Sequence, residues 1–191
     1  MERRRRRTWW AGGAVAAVVM AAVLVWFKPW ALWVDETVHE ALPSAGPSGD
    51  PREAPRATGA ASLPPVSPSP APAGPVTVAR GVFLSHEHTT TGTARIVRLP
   101  DGTHTLRLEG LDTSNGPDLH VLLSEAPVKE GRAGWYVFDD GRHLDLAPLK
   151  GNKGDQNYAL PTDVDWSDYP SVSIWCDRFD VSFGAAPLAR V

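Results

Sequence analysis

From Trp9 to Phe27 the chain runs nineteen residues without a charged side chain, shortly after a block of five consecutive arginines, Arg3 to Arg7. At about 1.5 Å per residue a helix of this length measures about 28 Å, close to the hydrocarbon thickness of a bilayer. Indole rings mark both ends, with Trp9 and Trp10 on one side and Trp26, Trp30 and Trp33 on the other, where the headgroup interface favours them. Residues 9–27 are therefore expected to cross a membrane as one helix, with the lipid bilayer as a partner. The arginine block resists translocation, so residues 1–8 are expected in the cytoplasm and everything after Lys28 outside it, as in a single-pass cell-membrane protein. A cleaved signal peptide shares the basic start but ends in small residues, whereas this junction reads Val25-Trp26-Phe27-Lys28-Pro29-Trp30. Five arginines in a row read as a topology determinant rather than a twin-arginine export signal. A lipid anchor is excluded because no cysteine lies near the span.

The next stretch limits how much of the chain folds. Prolines crowd the segment from Pro43 to Pro75 among Ala, Ser and Gly, leaving little apolar surface to offset the entropy of ordering it. Residues 28–75 are expected to form a disordered extracytoplasmic linker with polyproline character, a spacer rather than a proline-recognition ligand. One folded domain is then expected over residues 76–191. Its 16 acidic against 11 basic side chains make a poor phosphate-binding surface, which argues against a nucleic-acid partner. The excess of arginine over lysine and the abundant alanine point to a GC-rich bacterial genome.

Within that domain short apolar runs alternate with Gly, Pro, Asp and Asn, and no long stretch has helical periodicity. The fold class is expected to be all-β, a single β-sandwich or jelly-roll-like domain. Residues 95–99 and 104–108 flank Pro100-Asp101-Gly102-Thr103 and predict a hairpin. Further strands are predicted at 119–124, 135–138, 156–160, 172–176 and 179–183. Turns are predicted at 115–118, 151–154 and 163–170.

The motifs come in a recognisable order: Gly81-Val82-Phe83 with His88 and Gly92, then Asn115-Gly116-Pro117-Asp118-Leu119, then Leu149 to Tyr158. Val172-Ser173-Ile174-Trp175-Cys176-Asp177-Arg178-Phe179 and Val181 to Leu188 complete the series. Over about residues 79 to 190 this series resembles the electron-transfer DM-thirteen domain family. The resemblance implies a redox role built around one cysteine, matched here by Cys176. It acts either as a bare thiol or as the ligand of a prosthetic group such as haem, with His88 as the candidate opposite ligand. Residues 128–145 are not fixed by the family pattern, and a loop there covering the cysteine would restrict access.

Cys176 is the only cysteine, so no intramolecular disulfide is possible. Strand alternation puts Val172, Ile174 and Cys176 on one apolar face, with Ser173 and Trp175 on the other. The plainer reading is a buried small hydrophobe with an inert thiol; the sharper one is a redox or ligating group, which Arg178 nearby would favour. His86 and His88 share a face if extended and form a weak metal signal, with no third ligand evident. Cys-x-x-Cys-His is absent, which excludes covalent c-type haem. Asp163, Asp165 and Asp168 lack the glycine and glutamate of a calcium loop. No nucleophile elbow, phosphate-binding loop or paired carboxylates stand out, so a redox carrier is expected rather than a turnover enzyme. Its partner is expected to be a redox or surface protein. The alternative is a non-catalytic binding or structural module in which Cys176 simply packs.

Overall fold

In a computed structural model the described residues are 18–21, 34–43 and 74–191. The predicted span lies outside them except for residues 18–21, which are helical. Among the described residues no helix is long and apolar enough to cross a membrane. Residues 1–8, expected in the cytoplasm, and most of the Pro-rich linker also lie outside the described residues.

Eleven strands are described: β1 (Thr37–His39), β2 (Val76–Val82), β3 (Leu84–Ser85), β4 (Thr91–Arg98), β5 (His104–Asp112) and β6 (Leu119–Ser124), then β7 (His143–Pro148), β8 (Lys153–Ala159), β9 (Ser171–Cys176), β10 (Val181–Pro187) and β11 (Ala189–Arg190). They form a six-stranded sheet in the order β1-β8-β5-β4-β2-β11 and a five-stranded sheet in the order β3-β10-β9-β6-β7. Alternate apolar residues from each sheet fill the space between them. Ala79, Ile96, Leu106, Leu108 and Tyr158 come from the first, and Val121, Leu123, Val172, Ile174 and Cys176 from the second, in one buried cluster. This is the expected all-β sandwich.

The β4–β5 hairpin closes as its turn chemistry requires. Gly102 adopts φ 86°, and the Asp101 carboxylate accepts from the Thr103 N–H at 2.9 Å and its hydroxyl at 2.7 Å. Strands β6 and β9 fall where the apolar runs predicted them. Residues 135–138 do not form a strand, although their alternation matched one. A 3-10 turn at Arg132–Gly134 precedes them, and the place beside β6 is taken by β7, paired from His120↔Pro148 to Ser124↔His143. The final hairpin is shifted too: residues 177–180 are its turn, and β10 starts at Val181.

Residues 34–43, expected as part of the tether, instead fold onto the sheet. Strand β1 runs parallel to β8, with Thr37↔Lys153 and His39↔Asp155 in register. Gly154 makes this possible: its φ of 95° suits glycine, and a Cβ there would collide with the Val38 carbonyl. Polar pairs hold the rest of the segment. Arg107, only 8% exposed, donates from Nη1 to the Glu40 carbonyl at 2.9 Å and to Asn157 Oδ1 at 3.0 Å, from Nη2 to Asp155 at 3.1 Å, and from Nε to Glu109 at 2.8 Å. Lys150 Nζ meets the Glu40 carboxylate at 2.8 Å. The Pro-rich residues 44–73 therefore connect two strands of one sheet, and their length does not set the distance between residues 9–27 and the domain.

Arg107→Ala is expected to lower stability by about 2 kcal/mol. A charge pair broken in the interior costs about 3–5 kcal/mol, and here the carboxylate partners remain about one-third exposed. Urea unfolding of the full chain measures it; a loss below about 0.5 kcal/mol would show that the guanidinium network contributes little.

Candidate functional site

Cys176 ends β9, flanked on the same face by Leu119 of β6 and Val181 of β10, its direct cross-strand neighbours. Its side chain has no exposed surface and belongs to the main core cluster. The alternation predicted from sequence holds: Trp175 faces the other way, into a second cluster with Leu122, Phe138 and Ala185. Both faces of β9 are nevertheless buried, because residues 126–138 fold over the outer face of the second sheet. Phe138 sits edge-on to Trp175 with centroids 6.5 Å apart. The stretch 126–138 thus covers Trp175, on the face opposite the cysteine side chain.

Two loops enclose the sulfur. The turn 177–180 folds tightly, with the Phe179 N–H donating to the Cys176 carbonyl at 3.2 Å and Asp180 in the left-handed region at φ 49°. The Asn115–Asp118 turn lies beside it, joined by the Asp177 N–H donating to the Asp118 carbonyl at 2.9 Å. Burial pushes the Cys176 thiol above its ordinary range. The backbone N–H groups of Phe179, Arg178 and Asp118 oppose that by favouring the thiolate, while the Asp118 carboxylate adds to the rise. Arg178 therefore contributes through its backbone, where the sequence pointed to its guanidinium.

His88 reaches the same end of the sandwich but does not join Cys176. Its ring lies on Phe183 with centroids 3.9 Å apart, and its Nε2 is 4.0 Å from Glu87. The cleft at this end measures about 200 Å³ and is lined by residues including Glu36, Asn115, Asp118 and Asn152, with neither Cys176 nor His88 in its wall. Pockets for organic ligands begin at about 300 Å³. A haem held between Cys176 and His88 does not fit this packing. Two larger clefts, of about 390 and 710 Å³, share Thr103, His104, Leu160 and Thr162 at the opposite end and are remote from the sulfur.

The other predicted candidates separate. Strand β3 stops at Ser85, so His86 and His88 do not share a strand face. His86 is buried, with Nδ1 2.9 Å from Ser182 Oγ and its ring stacked on Phe138. Burial lowers its pKa. Asp165 caps a short 3-10 turn by accepting from the Ser167 N–H at 2.9 Å, and Asp168 pairs with Arg142 at 3.2 Å. Among the described residues no group of His, Cys, Asp and Glu is arranged to hold a metal ion. His120 carries the most developed polar contacts on the second sheet, with Nδ1 2.8 Å from Asp145 and Nε2 3.4 Å from Asp118. The carboxylates occupy opposite ring nitrogens, so they orient the imidazole instead of converging on one point. No spacing in the sequence marks this trio, since Asp145 comes from β7.

Sequence reasoning missed Asn152, only 2% exposed, which ties the site together. Its Oδ1 accepts from the Glu36 N–H at 2.7 Å, and its Nδ2 donates to Asp35 and to the Thr113 carbonyl, each at 2.8 Å. Asn115 Nδ2 donates to the Val34 carbonyl at 3.1 Å. Residues 34–36 are thereby fastened to the Asn115–Asp118 turn, which Asp118 joins to Asp177 beside Cys176.

A family model described as Electron transfer DM13 matches residues 82–188. No curated protein and no solved structure matches the chain. The matched residues include Cys176, His88 and both enclosing loops but not residues 34–43.

Proposed function

Because the chain belongs to the Electron transfer DM13 family, we propose that its β domain is a redox module held outside the cytoplasm by a membrane anchor at residues 9–27, with the Cys176 thiol as its electron-exchanging group. One observation carries this reading: the only cysteine lies within the family-matched residues, at the end of β9 between the 115–118 and 177–180 turns, where backbone N–H groups oppose the rise that burial gives its pKa. Burial keeps the thiol protonated and protected at neutral pH. Once the proton leaves, the amides stabilise the thiolate, which is the nucleophilic and oxidisable form. Access runs through the Asn115–Asp118 turn, so small reagents are favoured over bulky ones. The module works as a carrier that exchanges electrons with a redox or surface protein, not as a turnover enzyme, and nucleic acid is not a partner. The competing reading, a binding or structural sandwich, is favoured by the complete burial of Cys176 in the core.

Alkylation kinetics separate the two. With a small alkylating reagent the native chain is expected to label slowly at neutral pH. The rate should rise about tenfold per pH unit until the thiol's raised pKa is reached. Bulky aromatic disulfides are expected to lag well behind, and Cys176→Ser abolishes the signal. Labelling only at the rate of global unfolding, with every reagent, would establish the packed-module reading.

A further inference from the structure

The strand that was expected to be tether fixes which end of the sandwich meets the membrane. Strand β1 runs parallel to β8 and begins beside Lys153, which is paired with Asp112 at the end of β5. Asp112 leads into residues 113–118, and the Leu119 carbonyl accepts from the Leu149 N–H at 2.7 Å. The chain therefore joins the domain at the Cys176 end, where Val34, Asp35 and Glu36 are bonded to Asn115 and Asn152. Only residues 28–33 separate Phe27 from Val34. Fully extended, those seven steps reach about 25 Å. Trp30 and Trp33 lie within them, and indole favours the headgroup interface.

A second observation, independent of the chain path, agrees. Among the exposed large hydrophobics, Val34 at 58% and Phe179 at 63% lie at this end of the sandwich. Phe179 tips the turn after Cys176. The charged groups here, Glu36, Asp118, Asp177 and Asp180 against Arg178 and Lys153, are predominantly acidic, which disfavours anionic lipid and suits neutral headgroups.

We propose that the Cys176 end of the sandwich rests on the bilayer surface, seated by residues 34–43, with Val34 and Phe179 against neutral headgroups. The inference rests on the anchoring reading of residues 9–27 and deepens the proposed function: the electron partner of Cys176 is then a component of the same membrane, and the far clefts face away from it.

The test uses the full chain in phosphatidylcholine vesicles carrying acceptor-labelled headgroups. A donor dye is placed at Asp177→Cys on the near end or Asp163→Cys on the far end, both exposed turn positions, with the native chain as the labelling blank. Strands of up to nine residues put the two ends roughly 25–30 Å apart. Energy transfer from position 177 is expected to exceed that from 163 several-fold, with flotation of the chain on the vesicles read in the same sample. Flotation with equal or reversed transfer overturns the orientation and leaves the anchor standing. Concentration-dependent transfer between copies at 177, with weak transfer to lipid, assigns the face to self-association and overturns the proposal. Failure to float overturns the anchor and the orientation together.

Discussion

Trp175→Ala is expected to cost about 3–5 kcal/mol of unfolding free energy and to lower the thermal midpoint by roughly 10–20 °C. The indole is 1% exposed and is the largest fully buried side chain in the domain. Its removal leaves a cavity against Phe138, Leu122 and Ala185, between the sheet and the segment that covers it. That cover is irregular backbone, tied to the sheet where the Phe138, Ala126 and Trp135 carbonyls accept from Ser124, Ser171 and the Ser182 N–H, and packing on the indole holds the stretches between those points. With total stability of about 5–15 kcal/mol for a domain, the loss is a large share of the whole. Urea unfolding gives the free energy, and a thermal scan gives the midpoint. Trp175→Phe, which keeps most of the ring contact, is expected to lose less than half as much. A loss below 1 kcal/mol for the alanine variant would mean that residues 126–138 do not seal the outer face.

The same residue shows what the sequence could and could not reveal. Alternation in Val172-Ser173-Ile174-Trp175-Cys176 assigns the two faces of β9 correctly, because a period of two is a local property of extended backbone. It cannot tell whether the second face meets water, since the cover comes from a distant segment whose own alternation at 135–138 resembled a strand. Strand β7 took the available edge of β6 instead, and edges are a property of the whole sheet. Residues 34–43 were hidden for a related reason. Asp35, Glu36 and Glu40 read as solvated linker charges until Arg107 meets the segment from 67 residues away in sequence, and Asn152, Lys153 and Lys150 from more than a hundred. Parallel pairing leaves no turn signal between its partners. Cys176 stood out in the sequence through its uniqueness and the motif around it; its surroundings did not. His88, named with it, lies at the same end of the sandwich on Phe183, whereas the groups that favour the thiolate are backbone amides, which every residue carries and no sequence pattern marks.

Asn152→Ala is expected to raise the alkylation rate of Cys176 roughly 30-fold under native conditions. The side chain satisfies the Glu36 N–H and the Thr113 carbonyl, and both lose their partner in the variant. A buried polar group left unpaired costs about 1–3 kcal/mol, and opening to water relieves that cost. Residues 34–36 and the loop leading to the Asn115–Asp118 turn therefore become easier to detach together, by about 2 kcal/mol. When reclosing is fast, labelling tracks the open population, and about 1.4 kcal/mol corresponds to a tenfold change. A matched control separates local opening from general weakening. Thr105→Val removes a buried hydroxyl that donates to the Tyr158 carbonyl at 3.0 Å, near the far end of the sandwich. It is expected to lower the midpoint while leaving alkylation nearly unchanged. Equal acceleration in both variants would show that Cys176 is reached only through global unfolding, and then neither the turn nor the strand beside it serves as the route to the sulfur. Acceleration in Asn152→Ala alone ties thiol access to the segment that joins the domain to residues 9–27, so that a pull on that segment and the exposure of the Cys176 thiol become one event.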